Sequence, residues 1–222
     1  MELRKVFTAI LAACMALAIS SCEECDPVVI DYSLKTGNIL CADGRIVPQD
    51  AYDGNSMNGI GIIVMTGGEN DAYKAIAVGK EDIGSHCYCD SLMNVSGVGS
   101  DITKMDGKEN TAALMNLYME EMIGVPAAEA ASSYRTAGVT GWHLPSCGEL
   151  LQVSKGGLVI KKGLELIGGQ PMEEEWYISS TQDGASENTK ILYMYCVSMQ
   201  EGRVRYAMKN ESYPVRPFIT IK

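Results

Sequence analysis

Two histidines and eight cysteines are the residues of this 222-residue chain whose types suit them to chemistry. His86-Cys87-Tyr88-Cys89 sets an imidazole beside two thiols, a donor set that a transition metal accepts. Tetrahedral zinc sites space their cysteines more widely and need a fourth ligand. Here only Tyr88 separates the thiols and no fourth ligand is adjacent, so an oxidising compartment would make them disulfide partners instead. His143, the other histidine, has no G-x-S-x-G elbow to serve, and a nucleophilic triad is not expected. Residues 101–110 and 182–188 offer oxygen ligands of the kind calcium takes. In a chain of net charge −10 they read first as solvated acidic loops. Gly59-Ile60-Gly61 and Gly67-Gly68 do not match a phosphate loop. The expectation is a non-catalytic protein without metal or cofactor.

The N-terminus carries a different chemistry. Arg4 and Lys5 precede an apolar run from Val6 to Ile19 that is too short to cross a bilayer, for which about 20 residues are needed. Leu17-Ala18-Ile19-Ser20-Ser21-Cys22 resembles a bacterial lipobox. That resemblance implies a signal peptide over 1–21, cleavage before Cys22, and diacylglycerol on the Cys22 thiol. Two or three acyl chains hold a protein stably, since each buried CH₂ contributes about 0.8 kcal/mol. Glu23-Glu24-Cys25-Asp26 resembles the surface-export signal of Bacteroidetes lipoproteins and implies an outer-membrane anchor facing the cell exterior. A lipidated tether over 22–35 would then lead into a single domain over 36–222. The acidic balance argues against nucleic acid or an anionic bilayer as main partner, which leaves the N-terminal lipid as the link to the membrane. With Cys14 removed and Cys22 acylated, Cys25, Cys41, Cys87, Cys89, Cys147 and Cys196 remain as candidate disulfide partners. Their pairing is left open.

The elements that would position these groups follow from period and punctuation. Residues 37–41 and 44–47 flank Ala42-Asp43-Gly44, an Asp-Gly hairpin signal. Residues 59–65 form a β-branched run, and 73–78 alternate as its partner strand. Residues 91–108 are rich in Gly, Ser and Asp and predict a long loop. A helix is predicted over 109–123, with Leu114, Leu117 and Tyr118 on one face and Gly124 and Pro126 ending it. A second is predicted over 127–134. Ser146-Cys147-Gly148-Glu149 has the form of a capping box and starts a third short helix to about Ser154. Residues 160–172 read as irregular. Strands return at 176–180, 191–199, 204–208 and 213–221. Strands, then helices, then strands predict an α+β fold with an antiparallel sheet, two to three short helices and long loops.

Three strings stand in order: Gly141-Trp142-His143-Leu144-Pro145-Ser146-Cys147-Gly148-Glu149-Leu150, Trp176-Tyr177-Ile178-Ser179-Ser180-Thr181, and Pro214-Val215-Arg216-Pro217-Phe218. Together they resemble the family typified by the C-terminal domain of the Legionella collagen-like adhesin, over about residues 36–221. That family is similar to the C-type lectin fold, and the resemblance implies a surface binding or adhesion module for a glycan or protein. The strings themselves read as architecture. Trp142, Leu144 and Trp176 are expected in a core between helix and sheet. Pro145 would stop the incoming segment, Ser146 would cap the next helix, and Arg216 would pair with a carboxylate such as Glu149. Glu-Pro-Asn, Gln-Pro-Asp and Trp-Asn-Asp, common in calcium-dependent sugar-binding lectins, do not occur. Residues 91–108, 160–175 and 182–190 are the loops expected to meet a ligand. Tyr177, Tyr193, Tyr195 and Tyr206 are candidates for an aromatic patch, although strand alternation sends part of such a set inward. The alternative function is a structural or accessory subunit of a surface assembly such as a fimbria.

Overall fold

A computed structural model describes residues 31–172 and 175–222. The expected signal peptide over 1–21, the expected lipidation site Cys22, and Glu23, Glu24 and Cys25 lie outside the described residues.

Apolar strands build the first layer. Strands β1 (Ile39–Cys41) and β2 (Ile46–Val47) form the hairpin around Gly44, whose φ of 85° suits glycine. Strand β3 (Gly59–Thr66) pairs with β1 on one side and with β4 (Ala75–Gly79) on the other. Two later pieces complete this sheet: β6 (Trp142–His143) and β11 (Phe218–Ile221). The order is β2-β1-β3-β4-β11-β6, every pair antiparallel. A second sheet joins β7 (Trp176–Gln182), β8 (Tyr193–Ser198) and β9 (Val204–Met208). A two-stranded ribbon pairs β5 (Ser85–Cys87) with β10 (Ser212–Pro214).

Four helices fill the space between: α1 (Gly107–Glu121), α2 (Pro126–Ser133), α3 (Cys147–Leu166) and the short α4 (Glu187–Leu192). Helix α3 packs on β3, with Leu150, Val153, Ile160 and Leu164 in one core with Ile62, Val64, Tyr177 and Val197. A second core gathers Leu114, Ala127, Ala131, Leu144, Ile178, Cys196 and Val215. Trp142, Ile60, Ile63 and Ala77 form a third. The fold is α+β with antiparallel sheets.

Several expectations need correction. The third helix breaks at Gly157, close to the end expected near Ser154, but the stretch expected to be irregular from Ile160 forms a further helical segment to Leu166, in which Ile160 and Leu164 continue the buried stripe. Its glycines, which read as loop signals, serve the packing. Gly157 absorbs a kink at φ 40°, ψ −117°, and a Cβ at Gly163 would lie 2.9 Å from Ile62 Cδ1. Residues 191–192 belong to α4 before β8 begins. The strand expected over 213–221 is two strands, broken at Val215-Arg216-Pro217, where the Arg216 side chain turns inward and is fully buried. Among the described residues four α-helices, one of them two segments joined at the Gly157 kink, replace the two to three short ones expected.

Candidate functional site

The motif residues form a buried polar network rather than an open cleft. The Ser146 hydroxyl accepts from the Glu149 amide at 3.3 Å, and the Glu149 carboxylate accepts from the Ser146 amide at 3.0 Å, completing the capping box. The same hydroxyl donates to the Lys104 carbonyl at 2.7 Å. Glu149 also faces His143 Nε2 at 3.2 Å and accepts from the Gly107 amide at 3.3 Å. A Cβ at Gly107 would collide with that carboxylate, so a glycine stands there. Thr111 Oγ1 accepts from the Leu144 amide at 3.0 Å. The starts of α1 and α3 are thereby fastened to one carboxylate and one hydroxyl. His143 and Glu149 are 2% and 1% exposed, so the pair lies away from solvent. His143 Nδ1 has no partner among the described residues.

Glu149 therefore does not pair with Arg216. The Arg216 guanidinium meets Asp82 Oδ1 at 2.5 Å, with Gly79 and Gln170 carbonyls at 3.1 and 3.0 Å. Tyr177 donates to the other Asp82 oxygen at 2.9 Å. The break after β10 aims Arg216 at the chain following β4, where Asp82 stands, and away from the helix end that holds Glu149. Trp142 and Leu144 are buried as expected. Buried Pro145 lends its carbonyl to the Ser180 amide at 2.7 Å. Trp176 is only half-buried, since it opens β7 at the sheet's margin, and the Arg205 guanidinium lies 4.2 Å above its ring.

Cys41, Cys87, Cys89, Cys147 and Cys196 are all free thiols, so no disulfide joins cysteines among the described residues. Cys147 sits in the α3 core and Cys196 in the second core beside Met194. Burial pushes the Cys147 thiol up to about 12 and Cys196 higher still. Residues 86–89 do not converge on one point. His86 Nε2 faces the Ile83 carbonyl, Cys87 reaches Asp90 at 3.6 Å, and buried Tyr88 donates to the Ser180 carbonyl. Among the described residues, no three His, Cys, Asp or Glu side chains come together as metal ligands would. Asp101 is spent on Thr103 and Asp106 on Asn110.

Two of the three expected ligand loops do come together, and a residue that the sequence did not single out joins them. Lys209, fully buried just after β9, donates from Nζ to the Met93 carbonyl at 2.8 Å, to Gln182 Oε1 at 2.9 Å and to the Lys190 carbonyl at 2.7 Å. Its ammonium also lies 5.2 Å from the centre of the Tyr88 ring. Gln182 completes the clamp by accepting from the Val95 amide and donating to the Val95 and Val98 carbonyls. A Cβ at Gly184 would stand 2.6 Å from Ser100 Cβ, so the two loops touch. Among the described residues no carboxylate bonds the ammonium, and burial, only partly offset by the nearby Cys89 and Asp183, pushes Lys209 down to about 8. Ser91, Leu92, Asn94, Ser96, Ser186 and Asn188 lie exposed around this clamp. Residues 160–166 belong to α3 and do not join it. Sequence offered no signal for Lys209, because lysine is almost never fully buried.

The tyrosines divide. Tyr177 is core, Tyr195 donates to Asp183 at 2.8 Å, and Tyr193 meets the exposed Tyr206 at 5.2 Å between ring centres.

These features define an α+β protein with antiparallel sheets and a pinned pair of surface loops. No protein-family model and no curated protein matches the sequence. Among solved structures, a fimbrial protein from Bacteroides ovatus is similar, with a TM-score of 0.64 at 19% identity over 83% of this chain and 48% of that one. The chain thus spans about half the length of that neighbour, and the likeness is one of fold. No helix among the described residues is long and apolar enough to cross a membrane.

Proposed function

We propose that this chain is a lipid-anchored surface protein whose C-type lectin-like domain binds a glycan or protein through the paired loops 91–106 and 182–192. The Lys209 clamp carries the reading. Recognition needs polar groups held in one geometry so that little ordering entropy is lost on binding. Three hydrogen bonds from one buried ammonium hold two loops at once, and hydroxyl and amide side chains stand exposed around them. The three sequence strings support the lectin-like assignment. The lipobox-like hexapeptide supports acylation at Cys22 and an outer-membrane anchor facing outward. The sealing of His143 and Glu149 and the separation of the thiols favour binding over catalysis.

The test is a glycan array and a surface-protein pull-down with the mature chain, run beside a variant carrying Asn94→Ala, Ser96→Ala and Asn188→Ala. A captured ligand that the variant loses supports the loops as the binding face. Silence in both assays, or capture unchanged by the variant, overturns it. Loss of palmitate labelling in Cys22→Ser checks the anchor separately.

The fimbrial neighbour favours a second reading, an accessory subunit of a surface assembly. Size-exclusion of a native membrane extract separates the two, because a free adhesin elutes alone and a subunit elutes with its assembly.

A further inference from the structure

The three-stranded sheet ends on an open strand. Asp183 N donates to Tyr193 O, Met199 N to Glu175 O, and Ser198 N to Arg203 O. The odd residues of β8 therefore face β7 and the even ones face β9. Across the register Cys196↔Arg205 and Met194↔Ala207, Arg205 and Ala207 bond inward to β8. Val204, Tyr206 and Met208 must then turn their backbone groups outward. Met208 O accepts from Glu211 N in the following turn. The remaining outward groups of these three residues have no partner among the described residues.

The other edges are closed or short. On β7, Ser180 N is taken by Pro145 O and Gln182 N by Gly99 O. Strands β2 and β6 have two residues each, and β5 and β10 three. Folds commonly blunt their edges in these ways. Strand β9 is left five residues long and open.

We propose that β9 accepts an extended peptide strand in which acidic and apolar residues alternate. Side chains of paired strands meet on the same face. Positions opposite Val204, Tyr206 and Met208 therefore face an apolar row in which Tyr206 is 64% exposed. The position opposite Arg205 faces an exposed guanidinium that rests on Trp176 and donates to the Tyr213 hydroxyl at 3.5 Å, with no direct carboxylate partner among the described residues. Arg203, next on that face, already pairs with Glu201 at 2.5 Å. An exposed arginine beside free backbone groups favours an acidic side chain opposite it over a basic one, against the repulsion of a chain of net charge −10. It also disfavours β9 pairing with a second β9, which would gather four arginines at one seam. The main chain would supply binding and the alternation would supply choice. The biological setting rests on the subunit reading above, whereas the chemistry of the edge does not.

Fluorescence anisotropy of the mature chain with two labelled peptides tests this. One carries a Val-Glu-Val-Glu-Val core and the other Val-Lys-Val-Lys-Val, both flanked by Gly-Ser. The acidic peptide should bind about fivefold more tightly, the swing expected when the cross-strand attraction at Arg205 becomes a repulsion. Arg205→Glu, which leaves the ladder intact, should invert the preference. Tyr206→Pro removes an outward N–H along with the ring that meets Tyr193, and should abolish binding, where Tyr206→Ala, which keeps the N–H, only weakens it. Binding of neither peptide, equal binding of both, or an unaltered preference in Arg205→Glu overturns the proposal even if the proline variant misfolds. A membrane extract in which the protein elutes alone would count against the subunit reading and leave this result standing.

Discussion

Two buried ions decide much of this molecule, and each is held differently. Arg216 meets a carboxylate, whereas Lys209 meets only carbonyl and amide oxygens. Removing one partner of a buried ion pair strands the other charge. Asp82→Ala should therefore cost roughly 3 kcal/mol in urea unfolding. A double-mutant cycle of Asp82→Ala with Arg216→Met should show coupling, while Glu149→Gln with Arg216→Met should add within about 0.5 kcal/mol. Coupling in the second cycle and none in the first would restore the Glu149 pairing. The contrast between these residues shows how far sequence reaches at this scale. Ser146 and Glu149 stand three apart, and their capping box is legible because both partners lie in one helical turn. Asp82 lies 134 residues from Arg216, and no local pattern names it.

Elements were legible where one rule decided them. The Asp-Gly hairpin, the β-branched run of β3 and the alternating partner strand expected at 73–78 all form near where expected. Strands β5 and β6 have three and two residues, too few for a period, and arise from pairing with β10 and β11. Helix α3 was misjudged because glycine signals both a loop and a close approach. The loops expected at 91–108 and 182–190 were read singly, and the lysine that joins them was not. Lys209→Met keeps similar bulk and leaves three oxygens without their donor. It should lower stability by about 2 kcal/mol and open both loops to limited proteolysis while α1 and α3 stay resistant. Cleavage rates equal to those of the parent would show that the loops hold without the clamp.

At the scale of the whole molecule, burial sets the response to alkali. Ordinary thiols release protons near 9.0, whereas Cys147 holds its proton to about 12 and Cys196 beyond. Tyr134 and Tyr195 are likewise raised from 10.0 to about 12, burial being the larger cause in each. The fold keeps protons that the unfolded chain gives up, so stability should fall as pH rises from about 9 toward 12. Lys209 acts oppositely, since the unfolded chain holds its proton up to 10.5 and the fold only to about 8. One such group is outnumbered. Urea midpoints measured from pH 8 to 11 should decline, and less steeply in Cys147→Ala with Cys196→Ala. A flat profile would mean that the thiols are less sealed than their burial indicates.

The fold class was legible in the order of strands and helices, but the strand order within the larger sheet was not. Strand β11 lies between β4 and β6, pairing Phe218 with both Val78 and His143. That placement sets a timetable. The larger sheet cannot close until residues 218–221 arrive, and the loop then sealed spans most of the chain, so closure comes late and is slow. For a chain proposed to cross a membrane starting from its N-terminus, lateness is useful. Strands β1 to β4 can pair beforehand, but the larger sheet would be complete only once β11 had crossed.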